Sequence, residues 1–145
     1  MSETENIERN DKLLRVLFAC YIGASLLHFS HNAEFLNSYP NLPHWITRTN
    51  IYVIWAAISL VGCLGFLLYE RRRAAMGVAL LVPYAALGLD GLLHYTRAPF
   101  TAHSAAMNLT ILLEAGTAMA LLAATLVAGI NLRRDQRMRR VSPLH

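Results

Sequence analysis

The stretch IYVIWAAISLVGCLGFLLYERRR, residues 51–73, decides the fold, because a long uncharged apolar segment stops abruptly at one glutamate and three arginines. A helix of roughly 20 apolar residues is long enough to cross the ~30 Å hydrocarbon core of a bilayer. The whole chain has the same character, since 55% of its 145 residues are hydrophobic, only 15% are charged, and the mean hydropathy is +0.36. The sequence therefore predicts an integral membrane protein.

Three further segments have a similar length and composition. The four predicted spans are residues 13–36, 51–69, 74–95 and 105–132. Turn and breaker residues connect the first two (NSYPNLPH, 37–44) and the last two (TRAPFTAH, 96–103), so we expect an all-α membrane protein built as two helical hairpins. No small-residue cleavage motif follows the first apolar run, which indicates a retained first helix rather than a removable signal peptide.

The basic residues predict the orientation. Eleven of the 13 lysines and arginines fall on one side of the predicted spans. They are Arg9, Lys12, Arg15, Arg71, Arg72, Arg73, Arg133, Arg134, Arg137, Arg139 and Arg140. Because lysine and arginine are enriched in cytoplasmic loops, the polar tail 1–12 and the basic tail 133–145 are both expected to be cytoplasmic.

The net charge of +4 follows from this bias and indicates membrane lipids as partners, so nucleic acid need not be invoked. The sequence leaves open a homo-oligomer or a partner within a membrane complex. Short loops and a strong charge bias are typical of a bacterial inner (plasma) membrane protein, which is the expected location.

Ionisable residues gather in the opposite half of three spans. LLHFSHNAEF, residues 26–35, contains two histidines and a glutamate in the first span. Five further polar residues and one methionine lie on or near spans three and four: Asp90, His94, His103, Asn108, Glu114 and Met107. A charge at the middle of a span costs about 2.5–3.5 kcal/mol on insertion scales, so such residues normally face the bundle interior and carry function.

Helical spacing predicts one shared pocket. Residues three, four or seven apart share a helix face, so His28, His31 and Asn32 form one stripe, with Glu34 at its edge. Pro83, mid-way along the third span, is expected to leave a backbone carbonyl free. The second span has no ionisable residue between Asn50 and Tyr69 and is expected only to pack or to face lipid.

Imidazole and carboxylate side chains at this spacing suit a transition metal ion, namely Zn, Fe, Mn or Cu. The expected ligands are His28, His31, Asp90, His94 and His103. Glu34, Asn32, Asn108 and Met107 are expected to orient them. Glu114 would orient a ligand or act as the general base in metal-assisted chemistry on a lipid or small apolar molecule.

Three alternatives remain open at this point. The cluster could be a buried polar network that fixes the fold of a small structural or assembly subunit of a membrane complex. Alternatively, His28 and His94 could hold a b-type haem for electron transfer, since LLHFS (26–30) and LLHYT (92–96) hint at a duplicated hairpin. Proton or ion movement would need a path that continues beyond Thr117, and nothing ionisable follows until Arg133. Whether the protein is an enzyme is not decided by its sequence.

Overall fold

The computed structural model describes residues 3–71 and 73–141, with side chains for residues 9–71, 73–134 and 136–138. Arg72 and the end of the basic tail (142–145) lie outside the described residues, and so do the side chains of Arg139 and Arg140. The α-helices are α1 (Glu3–Glu34), α2 (Arg48–Glu70), α3 (Ala74–Leu87), α4 (His94–Arg97) and α5 (Ala105–Val141). Short 3₁₀ turns occupy Leu36–Ser38, Asp90–Leu93 and Phe100–Ala102.

Four helical stretches in the described part are long and apolar enough to cross a membrane. They are Arg9–Glu34, Arg48–Glu70, Ala74–Arg97 and Ala105–Met138. The expectation of an all-helical protein with four spans is therefore confirmed. Large apolar side chains such as Val53, Leu60 and Leu109 are 60–70% exposed, as expected for surfaces that face lipid rather than water.

The helices form a closed ring in which α1 contacts α2 and α5, and α3 contacts α2 and α5. Two ion pairs show that α1 and α2 run antiparallel. Arg15 Nε lies 2.9 Å from Glu70 Oε1 at one end, and Arg48 lies 2.5 Å from Glu34 Oε1 at the other. We call the end at residues 70–73 the basic end, and the end with the loops 35–47 and 98–104 the polar end.

The basic half of the bundle is held by aromatic packing. Phe18 of α1 stacks on Phe66 of α2 with ring centroids 4.5 Å apart, and Tyr21 contacts Tyr84 of α3 at 4.8 Å. Leu81 and Leu121, which are both fully buried, extend this core. Because these residues are close-packed and apolar, they close the bundle below the level of the polar side chains.

Two helix boundaries differ from the sequence prediction. The second helix begins at Arg48 rather than at residue 51, since Thr47 and Asn50 form a reciprocal capping box. The first helix ends at Glu34 rather than at residue 36, and the 3₁₀ turn Leu36–Ser38 follows. At the other ends, α1 and α5 extend through the described parts of the predicted tails.

The third span departs from α-helical geometry near its polar end. Its α-helix continues through Pro83 but stops at Leu87, and the 3₁₀ turn Asp90–Leu93 follows. The Gly88 amide donates to the Ala85 carbonyl instead of continuing the α-helical pattern, and the Tyr21 hydroxyl donates to the Tyr84 carbonyl at 3.3 Å. The α-helix breaks at Gly88 rather than at the proline, and there the Tyr21 ring lies so close to the backbone that a Cβ would clash with it.

Candidate functional site

The site is centred on one face of α1. His28 is 2% exposed, and Asn32, one turn further along, is half-buried on the same face. Both point towards α5 and towards the irregular end of the third span, where they meet Glu114 and His94. We call His28, Asn32, His94 and Glu114 the polar cluster.

Hydrogen-bond distances favour one tautomer of His28. The Thr110 hydroxyl lies 3.0 Å from the Met107 carbonyl and 3.3 Å from His28 Nδ1, so a bond to the carbonyl leaves its oxygen to accept from Nδ1. In that arrangement, neutral His28 carries its hydrogen on Nδ1 and presents a lone pair at Nε2. The Asn32 amide donates to that atom at 3.0 Å.

Glu114 is the most deeply buried member of the cluster, with 0% exposure. Its Oε2 lies 3.6 Å from His28 Nε2, which is beyond ordinary hydrogen-bond length. The buried Ser25 hydroxyl of α1 interacts with this carboxyl group, but within the described part of the chain neither carboxyl oxygen has a partner in ordinary hydrogen-bond geometry. Burying such a group without a partner costs about 1–3 kcal/mol, so the fold retains Glu114 at the expense of stability.

His94 lies on the opposite wall. Its ring is 5.6 Å from the His28 ring, edge to face, and its Nε2 lies 3.5 Å from the Asn32 amide nitrogen. The Asn32 amide nitrogen is therefore within 3.5 Å of an imidazole nitrogen of both His28 and His94. His94 Nδ1 and Asn32 Oδ1 are buried without partners among the described residues, so the cluster has unused hydrogen-bonding capacity on the ring and on the amide.

A cavity of about 230 Å³ opens onto this cluster. Its walls are largely apolar and come from α1, α2, the first loop (35–47) and the 3₁₀ turn Asp90–Leu93. They include Phe29, Leu42, Trp45, Ile46, Ile51 and Ile54. His28, Asn32, Asp90 and His94 supply polar groups on one side. The second helix was expected only to pack or to face lipid, but it contributes Asn50 as well as the two isoleucines.

The first loop covers the cavity. Asn41 adopts a left-handed backbone conformation (φ 57°), which asparagine tolerates better than most residues, and its amide donates to the Arg97 carbonyl at 2.8 Å. This bond attaches the first loop to the third span. Leu42, Trp45 and Ile46 of the same loop line the cavity. Trp45 is 73% exposed and lies at the mouth.

Two predicted site residues are engaged elsewhere. His31 Nδ1 bonds the Tyr39 hydroxyl at 2.8 Å and reaches His94 only through the Tyr39 ring. Burial raises the pKa of Tyr39 to about 12, so this phenol is neutral at physiological pH. Glu34 lies outside the pocket, because it pairs with Arg48 and accepts from the Tyr52 hydroxyl at 2.8 Å.

The remaining predicted residues surround the cluster. His103 Nδ1 lies 3.1 Å from the Pro99 carbonyl, and its ring is 6.1 Å from that of His94. Asn108 accepts from the Tyr95 hydroxyl and donates to the Phe100 and His103 carbonyls, so it fixes the second loop. The Met107 sulfur accepts from the Ser104 amide. Asp90 is exposed at the cavity wall.

The metal prediction receives no support from this geometry. Among the residues that the structure describes, no three histidine, cysteine, aspartate or glutamate side chains converge closely enough to hold a metal ion. The Asn32 amide lies between the imidazoles of His28 and His94, where the iron of a haem would have to be. Metal and haem binding both stay predictions.

Two important residues were not assigned to the site from the sequence. Tyr39 is 4% exposed and packs against the histidines. Gly91 lines the cavity and lies beside His28 and Glu114. The dipeptide Asp90-Gly91 at the end of an apolar span was the available signal for an irregular turn.

Fold and site together define a class, an all-helical integral membrane protein with four spans and a polar cluster beside an apolar cavity. No protein-family model, curated protein or solved structure matches this chain. Its function is therefore inferred from the chemistry of the site alone.

Proposed function

We propose that the protein binds a small, mostly apolar molecule in the cavity and recognises one polar group of that molecule with the polar cluster. The observation that carries this proposal is the junction of an apolar cavity with His28, Asn32 and His94, beside a fully buried Glu114 that has no partner in ordinary hydrogen-bond geometry among the described residues. Apolar walls with a few convergent polar groups are typical of ligand sites. The volume of about 230 Å³ is below the ~300–1,000 Å³ of pockets for drug-sized ligands, which indicates a small molecule.

The cavity is proposed to open on the side opposite the cytoplasm. The inferred arrangement is two helical hairpins with both termini cytoplasmic, in a bacterial plasma membrane. It is supported by the eleven basic residues assigned to one side and by the antiparallel contacts between α1 and α2. A ligand would then enter from the outer interface, past Trp45.

Tryptophan fluorescence tests binding directly, because the chain has two tryptophans and only Trp45 lines the cavity. In a Trp55→Phe variant, 4-(4-bromophenyl)butan-1-ol is expected to quench Trp45 with a saturable dependence on concentration. In the matched Trp45→Phe variant, Trp55 should show only the linear quenching that follows from partition into detergent. Identical linear quenching in both variants would show that the cavity does not bind such molecules.

Metal binding is the second candidate, because the Nε2 atoms of His28 and His94 both lie within 3.5 Å of one atom, Asn32 Nδ2. If that amide moved aside, a metal ion could bind the Nε2 atoms of His28 and His94. Glu114 Oε2 lies 3.6 Å from His28 Nε2 and would be near the ion. Elemental mass spectrometry on protein purified without chelator or metal-affinity tag is expected to find Zn, Fe, Mn or Cu near one equivalent. The metal should be lost in His28→Ala and retained in His31→Ala, since His31 is held by Tyr39. Retention in both variants, or no metal in the wild type, would exclude this site.

A further inference from the structure

We propose that a groove between α3 and α5 at the basic end binds one anionic phospholipid, with an acyl chain in the groove and the phosphate group held by Arg133. This site is separate from the cavity beside the polar cluster, and its occupancy does not depend on what that cavity binds. The partner of the basic end would be a phospholipid of net negative charge.

The groove, which we call the α3–α5 groove, has a volume of about 510 Å³. Its walls include Ala75, Ala79 and Val82 of α3, and Leu126, Gly129 and Ile130 of α5. Gly129 and Val78 both line the groove, and a Cβ on Gly129 would lie 3.1 Å from Val78 Cγ1. The lack of a side chain at Gly129 therefore lets the two helices approach closely at the groove.

The walls of the α3–α5 groove suit hydrocarbon. Every described lining residue other than Arg133 and Gln136 is apolar, and Ile130 is about half-exposed. In a membrane, such a surface must be covered by lipid chains or by another protein. The seven residues of α5 from Arg133 back to Leu126 give a groove about 10 Å long, which can take part of one acyl chain along the helices.

Arg133 lies at the basic end of this groove. It directly follows the apolar run 105–132, at the level where a spanning helix leaves hydrocarbon and meets lipid headgroups. Gln136, three residues further on, also lines the groove and offers an amide donor. Arginine can bind a phosphate through two N–H groups at once, so the two side chains supply donors where a lipid phosphate would lie.

Charge favours an anionic headgroup over a zwitterionic one. Among the residues that the structure describes, the arginines in ion pairs are Arg15 and Arg48, so no acidic side chain there compensates Arg133. Further positive charge at the same end comes from Arg71, Arg73, Arg134 and Arg137. An anionic lipid would supply the missing negative charge, whereas a zwitterionic lipid would bring a positive charge of its own.

A second groove near the basic end, between α1 and α5, provides an internal comparison. It is also apolar, with Leu13, Leu17, Ala123 and Val127 among its walls, but no described residue that lines it is basic. This α1–α5 groove can hold a chain but has no charge with which to select a headgroup. The combination of hydrocarbon walls and a cationic end therefore favours the α3–α5 groove as the site for an anionic lipid.

Native mass spectrometry in a mild detergent counts bound lipids and tests the headgroup preference. The probes are 1-palmitoyl-2-oleoyl phosphatidylglycerol, which is anionic, and the phosphatidylcholine with the same acyl chains. Wild-type protein is expected to bind the phosphatidylglycerol at least fivefold more tightly. Arg133→Gln should reduce this preference to less than twofold. Arg134→Gln is the matched control, since it removes the same charge from a residue that does not line the groove, and it should retain the preference.

Ala79→Leu tests the acyl-chain site, because the larger side chain would occupy the α3–α5 groove. It should weaken the binding of phosphatidylglycerol at least fivefold. The melting temperature should stay near that of wild type, because Ala79 is exposed. Ala123→Leu is the matched control, since it places the same enlargement in the α1–α5 groove, and it should leave the binding of phosphatidylglycerol unchanged.

Three results would contradict the proposal. Equal affinity for the two lipids, or equal losses in Arg133→Gln and Arg134→Gln, would overturn the assignment of an anionic headgroup to Arg133. Unchanged binding in Ala79→Leu would overturn the groove as the acyl-chain site. A dimer of the wild-type protein that Ala79→Leu dissociates would show that a second copy of the chain, rather than a lipid, covers the groove.

Discussion

Replacing Glu114 by methionine is expected to stabilise the protein, raising its free energy of unfolding by about 1–3 kcal/mol. Methionine has nearly the same length, fills the same space in the bundle and needs no hydrogen-bond partner. The buried carboxyl oxygens have no partner in ordinary hydrogen-bond geometry among the described residues, so we expect the desolvation penalty that the substitution removes to exceed the lost interaction with Ser25. Thermal denaturation in a mild detergent, followed by circular dichroism, measures the change.

This experiment separates a ligand site from a structural network. If the cluster only fixed the packing of helices, loss of Glu114 would lower the melting temperature, because a partner would be removed from His28. If Glu114 is retained for binding, the variant should be more stable and should bind 4-(4-bromophenyl)butan-1-ol more weakly than the wild type. Leu113→Met is the control on the same helix, since Leu113 is 42% exposed to the lipid side and should change stability by less than about 0.5 kcal/mol.

Gly77→Ala is expected to destabilise the protein by about 1–3 kcal/mol, despite the gain of roughly 1 kcal/mol that alanine gives an isolated helix. A Cβ at Gly77 would lie 2.5 Å from the backbone nitrogen of Tyr69. Backbone cannot rotate away as a side chain can, so α2 and α3 must separate at the basic end. The same thermal denaturation assay measures the loss.

Gly116→Ala provides the matched control, because no atom lies within 4 Å of a Cβ built at this position. It should leave stability unchanged or raise it slightly. A Gly77→Ala variant as stable as Gly116→Ala would show that the close contact between α2 and α3 is not maintained in the membrane protein.

The number and class of the spans could be predicted from the sequence, because ERRR at 70–73 and four apolar runs leave few other structures available. The boundaries could not be predicted so well. Apolar periodicity ignores the hydrogen bonds between Thr47 and Asn50 that start α2 early. It also ignores the close approach of Tyr21 to Gly88, which depends on packing between helices far apart in the chain.

The candidate site could be predicted in part, for a related reason. The sequence assigned His28 and Glu114 to one pocket, and the two side chains lie 3.6 Å apart. Spacing could not show that His31 turns to Tyr39, since that contact depends on the path of a loop. Nor could it identify Gly91, which lines the cavity from a 3₁₀ turn that apolar periodicity does not predict.

The aromatic and leucine core below Glu114 also separates the polar cluster from the basic end. Among the described buried residues on the basic side of Glu114, none is a carboxylate, imidazole or amine, and the Thr125 hydroxyl is bonded to the Leu121 carbonyl of its own helix. An ion or proton at the polar cluster would therefore meet an apolar layer, rather than a chain of ionisable side chains, on the way to the basic end.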